Sequence, residues 1–526
     1  MSNKGRASKY GCAAVIWILI IAGIVVLMRF VFLPRQRDKL QKETGSASYY
    51  EHEITLAVDS FSGYAVFRSD EFKNRLGSKK IKVRVQDDRA DYSQRIRALQ
   101  DGSVDLAVFT IDSFVKAGAP LSAYPGTIIL VIDESKGADA ILGYRQAFAN
   151  IDDLNNAEVR IVLTPDSPSE FLARVVIAHF SLPSLPKQWW IAAEGAASVY
   201  QQLRSSTKQE KRAYVLWEPY ISQALADPDV HTLLDTSKLS GYIIDVLVAN
   251  RGLIRDRPDL AQLVVEAYLR ALYTYGRNTD GLTRLLRQDA QQTGGAQLTD
   301  DQAQRLVSSI RWKSTLENYA HFGLLSSQET RGLRHLQDMI EDISDVLVKT
   351  GAVPRDPVSG QAHTLFYDQI LRKLQADHFH PGREINIIEG MDAGDEKDQL
   401  RGDAELPPLS DKDWEQLVPV GTMEIEPISF GRGKATISPT SQRSLLALAK
   451  KVEAWPEYYL LVTGHARAEG DAEANRQLAA QRAEQVVDFL ARQGVGKSRM
   501  RARSAEPSAQ GGAAQSVSFI VGQLPY

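Results

Sequence analysis

ALQDGSVDLAVF, from Ala98 to Phe109, is the stretch on which the fold turns. Its first half completes a helical pattern that begins at Tyr92. Asp101-Gly102 stops that pattern, and Val104–Phe109 reads as a short buried strand. Outward from it, Ile54–Val58 (ITLAV), Ile81–Val85 (IKVRV) and Thr127–Ile132 (TIILVI) are strands, with a helical segment before Asn74. The pattern restarts at Val159–Leu163 (VRIVL), followed by a polar turn with good helix-capping residues and a helix over Glu170–Phe180. Helix Ala197–Arg204, strand Ala213–Leu216 (AYVL) and a returning strand at Ile243–Ala249 complete it. Strands alternating with helices predict an α/β fold with a largely parallel sheet. After Pro258 the pattern predicts helices only: Asp259–Tyr275, Gly281–Gln292, Asp300–Trp312, Leu316–Leu325 and Ser327–Lys349.

At the N-terminus, Tyr10–Met28 carries no charge, and the apolar character continues past Arg29 to Leu33. About 20 helical residues cross a bilayer core, so residues 10–33 are expected to be one transmembrane anchor. The run exceeds the usual signal-peptide core, and no small-residue cleavage site follows it. The flanking charges, Lys4, Arg6 and Lys9 against Arg35, Arg37, Lys39 and Lys42, do not decide its orientation. Cys12 is the one cysteine, so no intrachain disulfide forms and the folded parts must hold by packing. The formal net charge of the 526 residues is -3, without a basic block beyond the anchor's flanks, which argues against a nucleic-acid partner. No GxSxG, HExxH or GxxxxGK[ST] motif appears, so an enzyme is not expected. Asp377-His378-Phe379-His380 is too sparse for a metal site, and no cofactor is expected.

A new module begins near the C-terminal end. Glu424–Phe430 is a strand, Ser438 with Pro439 starts a helix, and Tyr458–Val462 is a strand entering Gly464-His465-Ala466-Arg467. A long helix over Asp471–Gln493 ends at Gly494, and strands follow at Arg499–Arg503 and Ser516–Val521. Glu389–Pro408, rich in Gly, Asp, Glu, Lys and Pro, reads as a flexible linker. The expected organisation is a cytoplasmic tail (1–9), the anchor (10–33), a spacer (34–51), a two-lobed body (52–350), a connector and linker (351–420) and a small α/β sandwich (421–526).

The body resembles periplasmic solute-binding proteins of the nitrate/sulfonate/taurine type. The resemblance rests on the small polar turn Ser60–Tyr64, on ALQDGSVDLAVF, on TPDSPSEFLARVVI (Thr164–Ile177), on WEPY (Trp217–Tyr220) and on IIDVLVANRGLI (Ile243–Ile254). It implies a cleft between two lobes holding a small molecule, with ligands from loops at strand ends and from helix N-termini. On this resemblance Ser60, Ser62, Gly63, Thr110 and Asp112 line one lobe's share and Ser167 and Ser169 the other's. Trp217 and Glu218 sit at the hinge side, with Asp245 nearby. The carboxylates Asp112, Glu218 and Asp245, with no arginine in these loops, favour an amine-bearing ligand or are paired with arginines elsewhere in the lobes. Ordinary capping is the competing role for Ser167 and Ser169, and core packing for Trp217.

The C-terminal module resembles the peptidoglycan-binding OmpA-like domain, through ISF…GKATISPTSQRSLLALAKKV, VTGHARAEGDAEANRQLAAQRAEQVVDFL and SVSFIV. The resemblance implies peptidoglycan contact through His465, Asn475 and Arg482. Arg467, however, stands where the family's acid grips the ammonium group of diaminopimelate. Arg482 could still hold a carboxylate, or pair with Glu469 or Asp471. Both families act outside the cytoplasmic membrane. That implies a single-pass inner-membrane protein with its N-terminus inside and the bulk periplasmic. The expected function is capture of a small molecule for transport or sensing, with an inner-membrane permease and the cell wall as partners. The alternative is an envelope scaffold in which both modules have lost their ligands.

Overall fold

The computed structural model describes residues 49–294, 297–326, 333–383, 406–506 and 516–524. The expected anchor at 10–33 lies outside the described residues, as do 327–332 of the last predicted helix and 384–405 of the linker. Among the described residues, no helix is long and apolar enough to cross a membrane. What is described divides into a small unit, 49–54 with Lys73–Arg84, and a large unit, Thr55–Phe72 with the residues from Val85 onward. In the small unit Arg84 pairs with Glu53 at 2.7 Å, and Lys80 pairs with Glu51.

Within the large unit, the decisive stretch folds as its pattern predicts. Helix Tyr92–Asp101 ends at Gly102, whose φ of +74° is the left-handed conformation that glycine adopts without a Cβ clash. Strand β3 (Leu106–Thr110) follows, buried at every position. The first sheet contains β1 (His52–Val58), β2 (Ile81–Asp87), β3, β4 (Gly126–Ser135), β10 (Ile244–Asn250) and β11 (Ile310–Trp312), in the order β11-β4-β10-β3-β1-β2. The second contains β5 (Asp139–Tyr144), β6 (Arg160–Leu163), β7 (Trp190–Ala192), β8 (Arg212–Trp217) and β9 (Val230–Asp235), in the order β7-β6-β8-β5-β9. The chain passes into the second sheet between β4 and β5 and returns between β9 and β10, so the body has two α/β lobes.

Neither sheet is largely parallel. β1 and β3 are parallel, but β10 runs antiparallel to both β3 and β4, because it brings the chain back from the other lobe. In the second sheet β5 is antiparallel to β8 and β9. The helix predicted to reach Trp312 stops at Ser309, and Ile310–Trp312 pairs with the edge of β4. Edge pairing outweighs the helical pattern there, since an open β4 edge leaves backbone groups without partners.

The C-terminal module is a sheet of β12 (Val418–Thr422), β13 (Ile428–Ser429), β14 (Tyr459–Gly464), β15 (Met500–Ser504) and β16 (Ser516–Gln523). Helices Pro439–Glu453 and Ala472–Arg492 accompany it, capped by Ser438 and Asp471. Strand β12 begins in the stretch expected as connector and linker (351–420) and ends in the module, and Leu406, Leu409 and Trp414 pack on Tyr459 and Leu461. The module is docked onto the second lobe. Asp152 accepts from the Thr422 amide at 2.8 Å and its hydroxyl at 3.0 Å, and Ser181 N–H donates to the Thr422 carbonyl at 3.0 Å. Gly421 is required at this junction, since a Cβ would meet the Phe180 ring at 2.6 Å. Trp455, 1% exposed, packs against His179 and Phe180. Burial holds the His179 imidazole down to about 3, so it packs there as a neutral ring.

Candidate functional site

The C-terminal ends of β1, β3 and β6 carry the predicted ligand loops, and these loops have different fates. The turn at 60–64 is covered. Arg68 donates to the Asp59 carbonyl at 2.7 Å and the Phe61 carbonyl at 2.8 Å, and grips Asp289 with two bonds of 2.5 and 2.6 Å. That pair holds helix Thr279–Gly294 over the turn, where Leu282 and Leu286 form an apolar cluster with Ala65, and Phe61 packs on its edge. Trp312 Nε1 donates to the Gly63 carbonyl at 3.0 Å. A Cβ on Gly63 would lie 2.4 Å from the Phe61 ring and 2.7 Å from Asp133 Oδ2. Gly63 is buried, Ser62 half-buried and Ser60 exposed.

Beneath this turn lies a group the sequence reading half found. Asp245 and Asp133 stand directly opposite each other on antiparallel β10 and β4, 2% and 0% exposed. Tyr64 donates its hydroxyl hydrogen to Asp245. Among the described residues, neither Asp133 oxygen has a hydrogen-bond donor and the nearby Tyr268 hydroxyl has no partner. Two carboxylates cannot both ionise in such a place. Burial and then the neighbouring carboxyl drive the Asp245 proton affinity well up, and burial lifts Asp133 to about 7. Asp133 was missed, yet TIILVIDES shows the signal: an acid interrupting an apolar run where a strand should end.

Across the seam the second lobe presents helix Pro168–His179. Ser167 caps it, accepting from the Ser169 amide at 3.2 Å and donating to the Thr164 carbonyl at 2.7 Å. Facing it is helix Ile111–Gly118 of the first lobe, with Asp112 in its first turn. Lys116 joins the two lobes, 2.7 Å from Asp166 and 3.0 Å from Glu170, and Arg174 reaches Glu170 at 2.6 Å. These cations hold the Glu170 carboxyl below its ordinary range despite burial. Asp112 is 4% exposed and burial lifts it to about 7, although Thr110 and Lys116 oppose the rise. Among the described residues, Asp112 Oδ1, Thr164 Oγ1 and Ser169 Oγ at this seam are buried oxygens without a hydrogen-bond partner. Thr110 Oγ1 is engaged with Ser113 Oγ at 2.8 Å. Sequence reasoning named Asp112, Thr110 and Ser169 but passed over Thr164 and Lys116.

Trp217 and Glu218 lie at the end of β8. Trp217 pairs with Asp139 in the sheet. Glu218 accepts from the Ser222 hydroxyl at 2.7 Å and the Ser222 amide at 3.1 Å. Arg305 reaches the same hydroxyl at 3.2 Å, so helix Asp300–Ser309 touches the second lobe.

In the C-terminal module, Arg482 is 1% exposed and donates to the carbonyls of Lys434, His465 and Gly431 at 3.0, 3.0 and 3.2 Å. It knits two loops together and does not form the surface pair with Glu469 or Asp471 that the sequence left open. His465 hydrogen-bonds with Ser518 Oγ at 2.8 Å, and Asn475 donates to the Glu469 carbonyl at 2.9 Å. Arg467 is exposed.

Residues 429–516 match the OmpA family. A peptidoglycan-associated lipoprotein of Agrobacterium fabrum is 39% identical over 74 residues, 14% of this chain and 42% of that protein. The chain thus spans less than half the length of that curated relative. Solved structures similar to the chain include the alkanesulfonate-binding protein of Xanthomonas axonopodis pv. citri bound to MOPS, at 17% identity and a TM-score of 0.45 over 60% of this chain and 98% of that one. The periplasmic nitrate-binding protein of Synechocystis PCC 6803 is another, at 12% identity and a TM-score of 0.47 over 64% of this chain and 91% of that one.

Proposed function

We propose that this is an envelope protein that captures a small molecule between its two lobes, for delivery to an inner-membrane permease or for sensing. In this reading residues 10–33 cross the inner membrane, the N-terminus is cytoplasmic, and the body and OmpA-like module face the periplasm. The observation that carries the reading is the set of oxygens at the seam, Asp112 Oδ1, Thr164 Oγ1 and Ser169 Oγ. Buried polar atoms find partners in native proteins, and a polar ligand, with or without water, supplies them here. Thermal-shift titration of the full chain in detergent against a metabolite panel that includes aminosulfonates tests it. A saturable shift that Asp112→Ala and Ser169→Ala both weaken at least tenfold is expected. No shift across the panel overturns the reading.

A second reading, an envelope scaffold without a soluble ligand, is favoured by the cover over the turn at 60–64 and by Arg482 spending its donors on carbonyls. Peptidoglycan contact by the OmpA-like module belongs to the first reading. Arg467 sets a cation where the ligand's ammonium would approach, so Arg467→Asp in the full chain should strengthen sedimentation with purified sacculi.

A further inference from the structure

Asp133 and Asp245 occupy a place that capture at the seam does not use. Strand β4 is the last before the chain enters the second lobe, and β10 is the first after it returns. The two acids therefore sit on the strands that cross between the lobes. The register sets Trp312, Asp133, Asp245 and Thr110 in one row across the sheet. Like charges directly opposite on paired strands are destabilising, and two carboxylates ionise together there only if a positive charge joins them.

The cations of the neighbourhood are engaged with other acids. Lys313 pairs with Glu134 at 2.5 Å, Arg95 with Asp59 at 3.0 Å and with Asp88, and Arg68 with Asp289. The remaining groups that act on the pair are acidic or neutral: Asp139, which accepts from the Ser135 hydroxyl at 2.7 Å, and the hydroxyls of Tyr64, Tyr92 and Tyr268. Tyr64 serves one oxygen of Asp245. A second observation points to an occupant. Among the described residues, both oxygens of Asp133 and the hydroxyl of Tyr268 lack a hydrogen-bond partner, and both side chains are fully buried. A proton between the carboxyls serves one oxygen of Asp133 and leaves the other, and Tyr268, unmatched. A buried water meets the hydrogen bonds and leaves the charges opposed. A cation does both, since carboxylate and phenol oxygens are hard ligands. Among the described residues, no three acids, histidines or cysteines converge to hold a metal ion, and two carboxylates with neutral phenols suit a single charge.

We propose that Asp133, Asp245 and Tyr268 hold one small monovalent cation, an alkali ion or ammonium, which ties together the two strands that cross between the lobes. The site does not depend on capture of a ligand at the seam. Thermal unfolding of the full chain in detergent tests it, at pH 8 and constant ionic strength, with N-methyl-D-glucamine chloride replaced stepwise by sodium, potassium or ammonium chloride. A saturable rise in midpoint of about 3 °C or more is expected with at least one of the three. A rise with sodium or potassium assigns an alkali ion, and a rise with ammonium alone assigns ammonium. Protons compete for the same oxygens, because burial raises the proton affinity of both acids, so the rise should shrink at pH 5. Asp133→Asn keeps the shape of the side chain and should abolish the cation dependence, with the fold checked by circular dichroism. Tyr268→Phe should weaken the apparent cation affinity about fivefold. Asp488→Asn, at an exposed pair with Lys497 in the OmpA-like module, should leave it unchanged. Equal midpoints in all four salts, or a cation dependence that survives Asp133→Asn, overturns the proposal.

Discussion

The turns at 60–64 and 164–169 each carry two serines, Ser60 and Ser62 in one and Ser167 and Ser169 in the other, each follows a strand, and each leads into a helix. They end in opposite conditions. Around the first, Arg68 takes up the carbonyls, Trp312 bonds Gly63, and Leu282 and Leu286 of helix Thr279–Gly294 pack against Ala65 and Phe61, while Ser60 stays exposed. At the second, capping is complete on the backbone side, yet Thr164 Oγ1 and Ser169 Oγ are left buried and unmatched. The lesson concerns what packs on a loop. Loop composition supplies hydrogen-bonding capacity, and whether that capacity is spent internally depends on elements hundreds of residues away.

The sharpest way to break this comparison is to remove the clamp on the first turn. Arg68→Ala strands the Asp289 carboxylate, whose side chain is 2% exposed. Losing one partner of a buried pair costs about 3–5 kcal/mol, so the urea midpoint should fall steeply. An unchanged midpoint would mean the cover is not held by this pair. Next in size is Asp112→Asn. The folded carboxyl titrates near 7, above the unfolded value, so its contribution is full at low pH and is lost as pH rises from about 4 through 7. The variant should therefore be more stable than the parent by about 1–3 kcal/mol at pH 8 and nearly equal at pH 4. Denaturation curves at the two pH values check the sign, and a gain confined to pH 4 would refute it. Trp312→Phe deletes the donor to Gly63 and leaves that carbonyl unpaired, for about 1 kcal/mol. Faster amide exchange should then appear at 61–64. Ser169→Ala is the smallest change: its hydroxyl has no partner to lose, so stability should stay within about 0.5 kcal/mol. A loss of 2 kcal/mol or more would show that the hydroxyl is satisfied after all, and the two turns would then be alike.

Much of the fold was legible because local physics governs it. Tyr92–Asp101 and Gly102, Ser167 with Pro168, Ser438 with Pro439, and Asp471 at the head of the last long helix are written in short-range caps and stops. The strands that were missed include β5 and β9, of six residues each, and shorter ones. β7 and β11 have three residues each, too few for a period, and exist because a neighbouring edge needs a partner. Of the candidate site, the residues at strand ends were named because the resemblance to solute-binding proteins points to them. Lys116 and Thr164 were not, since only the approach of the two lobes gives them a role. Nor could any pattern show that Trp455 buries itself against His179.

The sequence by itself determined most of the order of helices and strands, because these follow from caps, breakers and apolar periods acting over a few residues, and its resemblance to two families implied the two-lobed body and the OmpA-like module. Tertiary structure alone decided that Asp133 and Asp245 meet as a buried pair, that one polar turn has its carbonyls bonded while the other keeps buried hydroxyls unmatched, and that the C-terminal module is docked. Those outcomes depend on burial and on side chains meeting across long stretches of chain, where a charge or hydroxyl takes its character from whatever the fold places beside it.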